Sequence, residues 1–144
     1  MSRNNKINDQ DKLYFFTFTV INWIDVFIRN EYRNISIESI QYCQKNKGLN
    51  VYAWCLMTSH AHLIVSSEGQ HHLQGIIRDL RSFTSRQIRK SLEDKDAIGE
   101  GRREWMYNMM TKAGIQNSNN HDFQFCQQHN QHIQLHTRDL FDQK

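Results

Sequence analysis

The sequence predicts an α+β domain in which an antiparallel sheet carries helices packed on one face, its elements running in the order βαββαβ. Three observations carry that expectation. An aromatic and β-branched run spans Leu13 to Val20, two apolar strand-like runs flank Thr58-Ser59, and apolar residues between His72 and Leu92 recur every three or four positions.

Leu13-Tyr14-Phe15-Phe16-Thr17-Phe18-Thr19-Val20 reads as a first, central strand, because such side chains suit a pleated and well-covered surface. Asn22 to Asn34 fits either extended structure or a short helix. Ser36-Ile37-Glu38-Ser39 has the polar-first look of a helix start, and Ile37, Ile40 and the Gly48 stop predict a helix of about three turns. Leu49–Leu56 and His60–Ser66 follow as an antiparallel pair around the turn at Thr58-Ser59, closed by Glu68-Gly69.

His72 to Leu92 is the clearest helix, with Leu73, Ile76, Ile77, Leu80, Phe83, Ile88 and Leu92 on one stripe. Arg78, Arg81, Arg86, Arg89 and Lys90 fall largely opposite it, where they form either an ordinary solvated face or a surface for phosphates. Glu93 to Gly101 reads as a charged loop. Arg102 to Ala113 reads as a further helical piece with Trp105, Met106, Met109 and Met110 on its core side and Gly114 ending it. After a polar loop from Gln116 to Asp122, Phe123-Gln124-Phe125-Cys126-Gln127 alternates as a last strand should.

A chain of 144 residues fits one domain, and 38% hydrophobic residues support a real core. No segment approaches the ~18 consecutive apolar residues of a membrane span. Met1 to Lys12 is polar rather than signal-like, so a cytoplasmic protein without a membrane partner is expected. The expected organisation is a flexible arm over 1–12, the domain over 13–135 and a short tail over 136–144. Cys43, Cys55 and Cys126 are odd in number and lack C-x-x-C spacing, which argues against a disulfide framework or a thiolate zinc site. A net charge of +3 is too mild to announce a nucleic-acid binder by itself.

The chemistry centres on Thr58-Ser59-His60-Ala61-His62. Alternation along a strand sends His60 and His62 to one face, with imidazoles about 6–7 Å apart along the strand, close enough to converge on one divalent ion. A half-exposed strand without any ligand carries the same pattern. His129, His132 and His136 are spaced to share a helix face, but no acid or Cys completes a zinc site there, so a solvated tail is the expectation.

Met57-Thr58-Ser59-His60-Ala61-His62-Leu63-Ile64-Val65 resembles the Met-Pro-Asn/Ser-His-x-His-aliphatic-aliphatic signature of the HUH single-tyrosine transposases, particularly their REP-associated branch. Ile76 to Arg86, Glu104-Trp105-Met106 and Phe123 to Gln128 resemble further segments of the same proteins in the same order. The likeness spans about Leu13 to Leu135. The family carries proline where Thr58 and His132 stand, whereas this sequence has no proline at all.

The resemblance implies a ferredoxin-like or RRM-like sheet, DNA transposition, and single-stranded or hairpin DNA as partner. It makes His60 and His62 the ligands of Mg²⁺ or Mn²⁺, which neutralises charge on the scissile phosphate while a tyrosine attacks and forms a 5′-phosphotyrosine link. In the family that tyrosine lies on a helix beyond the last strand, followed about one turn later by a third metal ligand. The last tyrosine here is Tyr107, which precedes the expected last strand and sits among helix-packing residues; the family's nucleophile is expected to be missing, Tyr107 is the one substitute in that part of the chain, and whether this form is active stays open. Pairing of two copies through a sheet edge or an exchanged C-terminal segment stays open.

Two rivals come from other classes. Histidine-triad hydrolases need a third His where this chain has Ile64. A non-catalytic RNA-recognition-like module uses the same βαββαβ scaffold, predicts binding without metal, and leaves the His pair without a role.

Overall fold

The computed structural model describes residues 12–69, 71–94, 101–117, 122–127 and 132–135. Strand β1 (Leu13–Thr19) is central, as its aromatic content predicts: it pairs with β3 (His60–Ser67) on one side and with β4 (His132–Leu135) on the other. Strand β2 (Leu49–Leu56) completes the order β2-β3-β1-β4, antiparallel throughout. The β2–β3 turn closes through a hydrogen bond from the Met57 amide to the His60 carbonyl at 2.8 Å.

Alternation along these strands sorts the sheet into two faces. Tyr14, Phe16, Leu63 and Val65 point to the buried one, where helix α1 (Asn30–Asn46) and helix α2 (Leu73–Glu93) cover them. Leu73, Ile76, Ile77 and Leu80 of α2 enter this core together with Cys43 of α1, as the three-and-four spacing requires. Each fully buried side chain of that size contributes about 1.5–3 kcal/mol, which makes the α2 stripe a major source of stability. A second cluster joins the far end of α2 (Ile88, Leu92) to helix α3 (Arg103–Gln116) through Met106 and Met110, and to Phe123 and Phe125.

Local expectations are corrected or resolved at several points. Helix α1 begins at Asn30 instead of near Ser36, and Ser36 is buried inside it. The ambiguous Asn22–Asn34 stretch resolves into two 3₁₀ turns, Ile21–Trp23 and Val26–Ile28, followed by the start of α1. Phe123–Gln127 is not the last strand. It contributes one isolated bridge, Cys126 to Val20, while Phe123, Gln124 and Phe125 are all buried. Its backbone bonds outside the strand ladder, Gln124 N donating to Met110 O at 3.0 Å, and β4 lies further on.

Gly114 does not end α3, which continues to Gln116; it lies where a Cβ would come within 2.2 Å of the Phe123 amide nitrogen. His132 lies in β4, so residues three or four apart do not share a helix face there. His129 and His136 lie outside the described residues, as do most of the expected charged loop, the arm up to residue 11 and the tail 136–144. Among the described residues no helix is long and apolar enough to cross a membrane.

One surface ion pair ties α1 to α2. Lys47 donates to Asp79 at 2.9 Å, and Arg78 reaches the other carboxylate oxygen at 3.3 Å. The Lys47 bond holds the Asp79 carboxyl below its ordinary value and raises the Lys47 ammonium above its own. A depressed acid stabilises the fold above its unfolded pKa and loses that contribution as pH falls through the folded one. The raised Lys47 contributes below its unfolded pKa and fades as pH rises past the folded value.

Both side chains are partly exposed, so Asp79→Asn is expected to cost only about 0.5–1 kcal/mol at pH 7. The difference from wild type should shrink as pH falls through the depressed folded value, where Asp79 takes up its proton. Urea titrations of both proteins at neutral pH and down through the acid range measure this, and a gap that does not narrow toward acid would assign the loss to packing.

Candidate functional site

The register places the His pair on the sheet face opposite the helices. His62 stands across from Thr17 of β1 and Cys55 of β2, and His60 across from Thr19. Phe15 and Ile64, themselves opposite one another, share this face by alternation. The two imidazole centres lie 5.0 Å apart with ring planes at 73°. Both rings are half-buried, neither sealed in the core nor loose in solvent.

Each imidazole is engaged through the same nitrogen. Thr17 Oγ1 lies 3.0 Å from His62 Nδ1, and Ser59 Oγ lies 3.3 Å from His60 Nδ1. A hydrogen bond at Nδ1 is the arrangement by which outer partners set the tautomer of histidines that bind metal through Nε2. Phe15 stacks on His62 at 5.3 Å and 19°, and Trp23 meets His60 edge-to-face at 5.8 Å. The rings therefore form a row: Phe15, His62, His60, Trp23.

Two imidazoles with centres 5.0 Å apart on one sheet face are a donor pair of the kind divalent ions take, and they would hold such an ion between them. Among the described residues no group of three or more His, Cys, Asp or Glu comes together, so the pair stands without a third protein ligand from that set.

The basic residues of α2 lie in the helix layer, away from the pair. Arg78, Arg81, Ser82, Ser85, Arg86 and Arg89 line one side of a groove whose other wall is Asp122 to Cys126. Lys90 is not part of it and lies beside Glu93 and Asp94. The groove's arginines are not equivalent. Arg81 donates to the Gln127 carbonyl at 3.0 Å, and Arg89 bonds Asp122 at 3.1 Å and Glu93 at 3.0 Å while lying over the Phe123 ring.

The bond to Asp122 raises the Arg89 guanidinium above its ordinary range. Arg81 and Arg89 thus hold the groove wall in place, whereas Arg78 and Arg86 are exposed and project charge outward.

Tyr107 is half-buried on α3 against Phe123, and its hydroxyl donates to Glu93 at 3.0 Å beside the C-terminal end of α2. It does not share the open face with the His pair. The buried thiols are no alternative: burial pushes Cys43 and Cys126 up to about 11, so both are protonated at neutral pH.

Thr17, Phe15 and Trp23 are members of this site that the sequence alone does not single out. Their roles depend on strand register and on the turn after β1. Cys55 joins the open face in the same way, through its pairing with His62.

Comparison with known proteins bears on the family and the fold. The family described as IS200-like transposases matches residues 12–114, which include β1, the His pair, α2 and most of α3. Among solved structures, a REP-associated tyrosine transposase bound to a REP hairpin is similar at a TM-score of 0.63 and 12% identity, covering 99% of this chain and 67% of that one. A Deinococcus radiodurans protein described as a transposase is similar at a TM-score of 0.54 and 11% identity, covering 96% of this chain and 89% of the other. No curated protein matches. A likeness at such identities speaks for the fold, while the sequence family match covers most of the chain, and the chain belongs to the IS200-like transposase family.

Proposed function

We propose that this domain serves DNA transposition by binding single-stranded or hairpin DNA, with His60 and His62 holding Mg²⁺ or Mn²⁺ at a backbone phosphate. The observation that carries the reading is the pair itself: two imidazoles 5.0 Å apart on an open sheet face, each engaged at Nδ1. When bound there, a divalent ion supplies positive charge to the phosphate oxygens. Thr17 and Ser59 hold the rings in one tautomer and orientation, and the sheet keeps them from swinging apart. Arg78 and Arg86 add phosphate contacts in the α2 groove, steadied by Arg81 and Arg89; Lys90 contributes charge outside it.

The likeness to a transposase bound to a REP hairpin supports hairpin DNA as the partner. Strand cleavage would need a hydroxyl that attacks phosphorus, expels the 3′-oxygen and keeps the 5′-phosphate as a covalent ester. Tyr107 is poorly placed for that role, because its hydroxyl is bonded to Glu93 in the helix layer. Binding without cleavage is therefore the activity proposed for these 144 residues.

A labelled hairpin DNA pool, incubated with protein and Mn²⁺ and run on native and denaturing gels, tests both parts. A native shift is expected that weakens roughly tenfold or more with chelator or with His60→Ala, a loss of the size seen when a metal site is disrupted. Equal binding with and without chelator would overturn the metal role and favour the RNA-recognition-like alternative. A shift surviving denaturation would overturn the absence of a nucleophile and make Tyr107→Phe the next variant.

A further inference from the structure

Trp23 is 61% exposed, as Trp54 and Trp105 also are at 54% and 51%, but Trp23 stands against His60. Its backbone is unusual. Asn22 and Trp23 both have φ of 54°, two consecutive non-glycine residues in the left-handed region. Asn tolerates that region because its short side chain bonds locally, but Trp gains nothing from it.

The surrounding contacts enforce this turn. Trp23 N donates to Val20 O at 3.0 Å, Ile24 N to Ile21 O at 3.2 Å, Ile21 N to Phe125 O at 2.8 Å, and Val20 N to Ser59 O at 2.9 Å. Backbone strain fixed by so many partners is a feature of sites where a side chain has to be aimed. What it aims is an indole, set edge-to-face against His60 at 5.8 Å and open to solvent on the rest of its surface.

From this we infer that Trp23 is a stacking platform for one unpaired nucleobase of single-stranded DNA, positioning the strand so that the neighbouring phosphate lies at the His60–His62 pair. The inference rests on the proposed function and deepens it by naming a positioning residue. The chemistry favours a base over an apolar partner. The indole is an exposed ring at the end of a row of imidazoles and a half-buried Phe15, and the groups beside it suit a phosphate.

Every base offers a π-face, so such a platform reads single-strandedness and not sequence. A base-paired duplex hides that face. Trp54, also exposed at 54%, is paired with Leu63 and so belongs to the opposite side of the sheet, which makes it the natural control.

The test uses the full chain and a single-stranded oligonucleotide of about fifteen nucleotides, together with a set in which one nucleotide at a time is replaced by an abasic unit. Wild-type protein should lose affinity at one position by roughly 5- to 150-fold, the range for one base stacked on an aromatic. Trp23→Ala should bind the intact strand weaker by the same factor and be indifferent to the abasic unit at that position. Trp23→Phe should restore most of the loss, and Trp54→Ala should behave as wild type.

Wild-type affinity that depends on Mn²⁺ but shows no abasic position coupled to Trp23 would overturn this inference alone. Wild-type protein that binds no strand would overturn the proposed function and the inference with it. The abasic series on unmodified protein keeps the result independent of how well any variant folds.

Discussion

Gly114→Ala is expected to destabilise the protein by about 2–4 kcal/mol and to lower Tm by roughly 5–15 °C. Two effects oppose each other. In a helix interior alanine is favoured over glycine by about 1 kcal/mol, so propensity alone predicts a gain. The added Cβ, however, would come within 2.2 Å of the Phe123 amide nitrogen and 2.6 Å of its Cα. Those are backbone atoms, which cannot rotate away as a side-chain tip can.

Relief therefore requires α3 and the Asp122–Cys126 segment to separate, breaking the bond from Gln124 N to Met110 O and exposing Phe123 and Phe125. The clash outweighs the propensity. Thermal denaturation followed by circular dichroism measures the change, and a variant as stable as wild type would mean that the segment does not lie on α3. Because Arg89 bonds Asp122, the same variant should also open the arginine groove and weaken DNA binding.

Thr17→Val is expected to reduce Mn²⁺ affinity by about 10- to 100-fold with a much smaller change in stability. The substitution is nearly isosteric and valine suits a strand, so β1 should hold its pairing. What disappears is the hydroxyl 3.0 Å from His62 Nδ1. Without it the imidazole is free to change tautomer or tip away from His60, and loss of such an outer partner commonly costs a metal site 10- to 100-fold. Calorimetric titration with Mn²⁺ separates this from the direct loss in His62→Ala. Unchanged affinity in Thr17→Val beside a lost signal in His62→Ala would show that Phe15 stacking alone orients the ring.

The sheet and the His pair were legible because both rest on period two. A strand with aromatic and β-branched residues on both faces has to be central, and H-x-H on a strand has to share a face. Helix α2 was legible for the corresponding reason at period 3.6. The start of α1 was not, since Arg29 occupies the cap position without any side-chain bond and the polar residue of capping type, Asn30, stands one place inside the helix. Ser36 imitated a cap while being buried further along.

Phe123 and Phe125 imitated a pleat, but tertiary packing under α3 buries Gln124 between them as well. Gly114 read as a helix stop because close approach and chain termination call for the same residue. Thr17 and Trp23 carry no local signal. Only register and a left-handed turn bring them to the histidines, whereas Ser59 stands beside His60 in the motif itself.

The turn at Ile21–Trp23 has a consequence for how long a DNA ligand must be. It stands on the rim between the two layers: Ile21 bonds the Phe125 carbonyl, which belongs to the wall of the arginine groove, while Trp23 touches His60 on the open face. A strand that engages both surfaces has to bend over this rim. Chemical protection along such a strand would then show two shielded tracts separated by reactive nucleotides at the bend, and oligonucleotides too short to turn the corner would leave one of the two tracts unshielded.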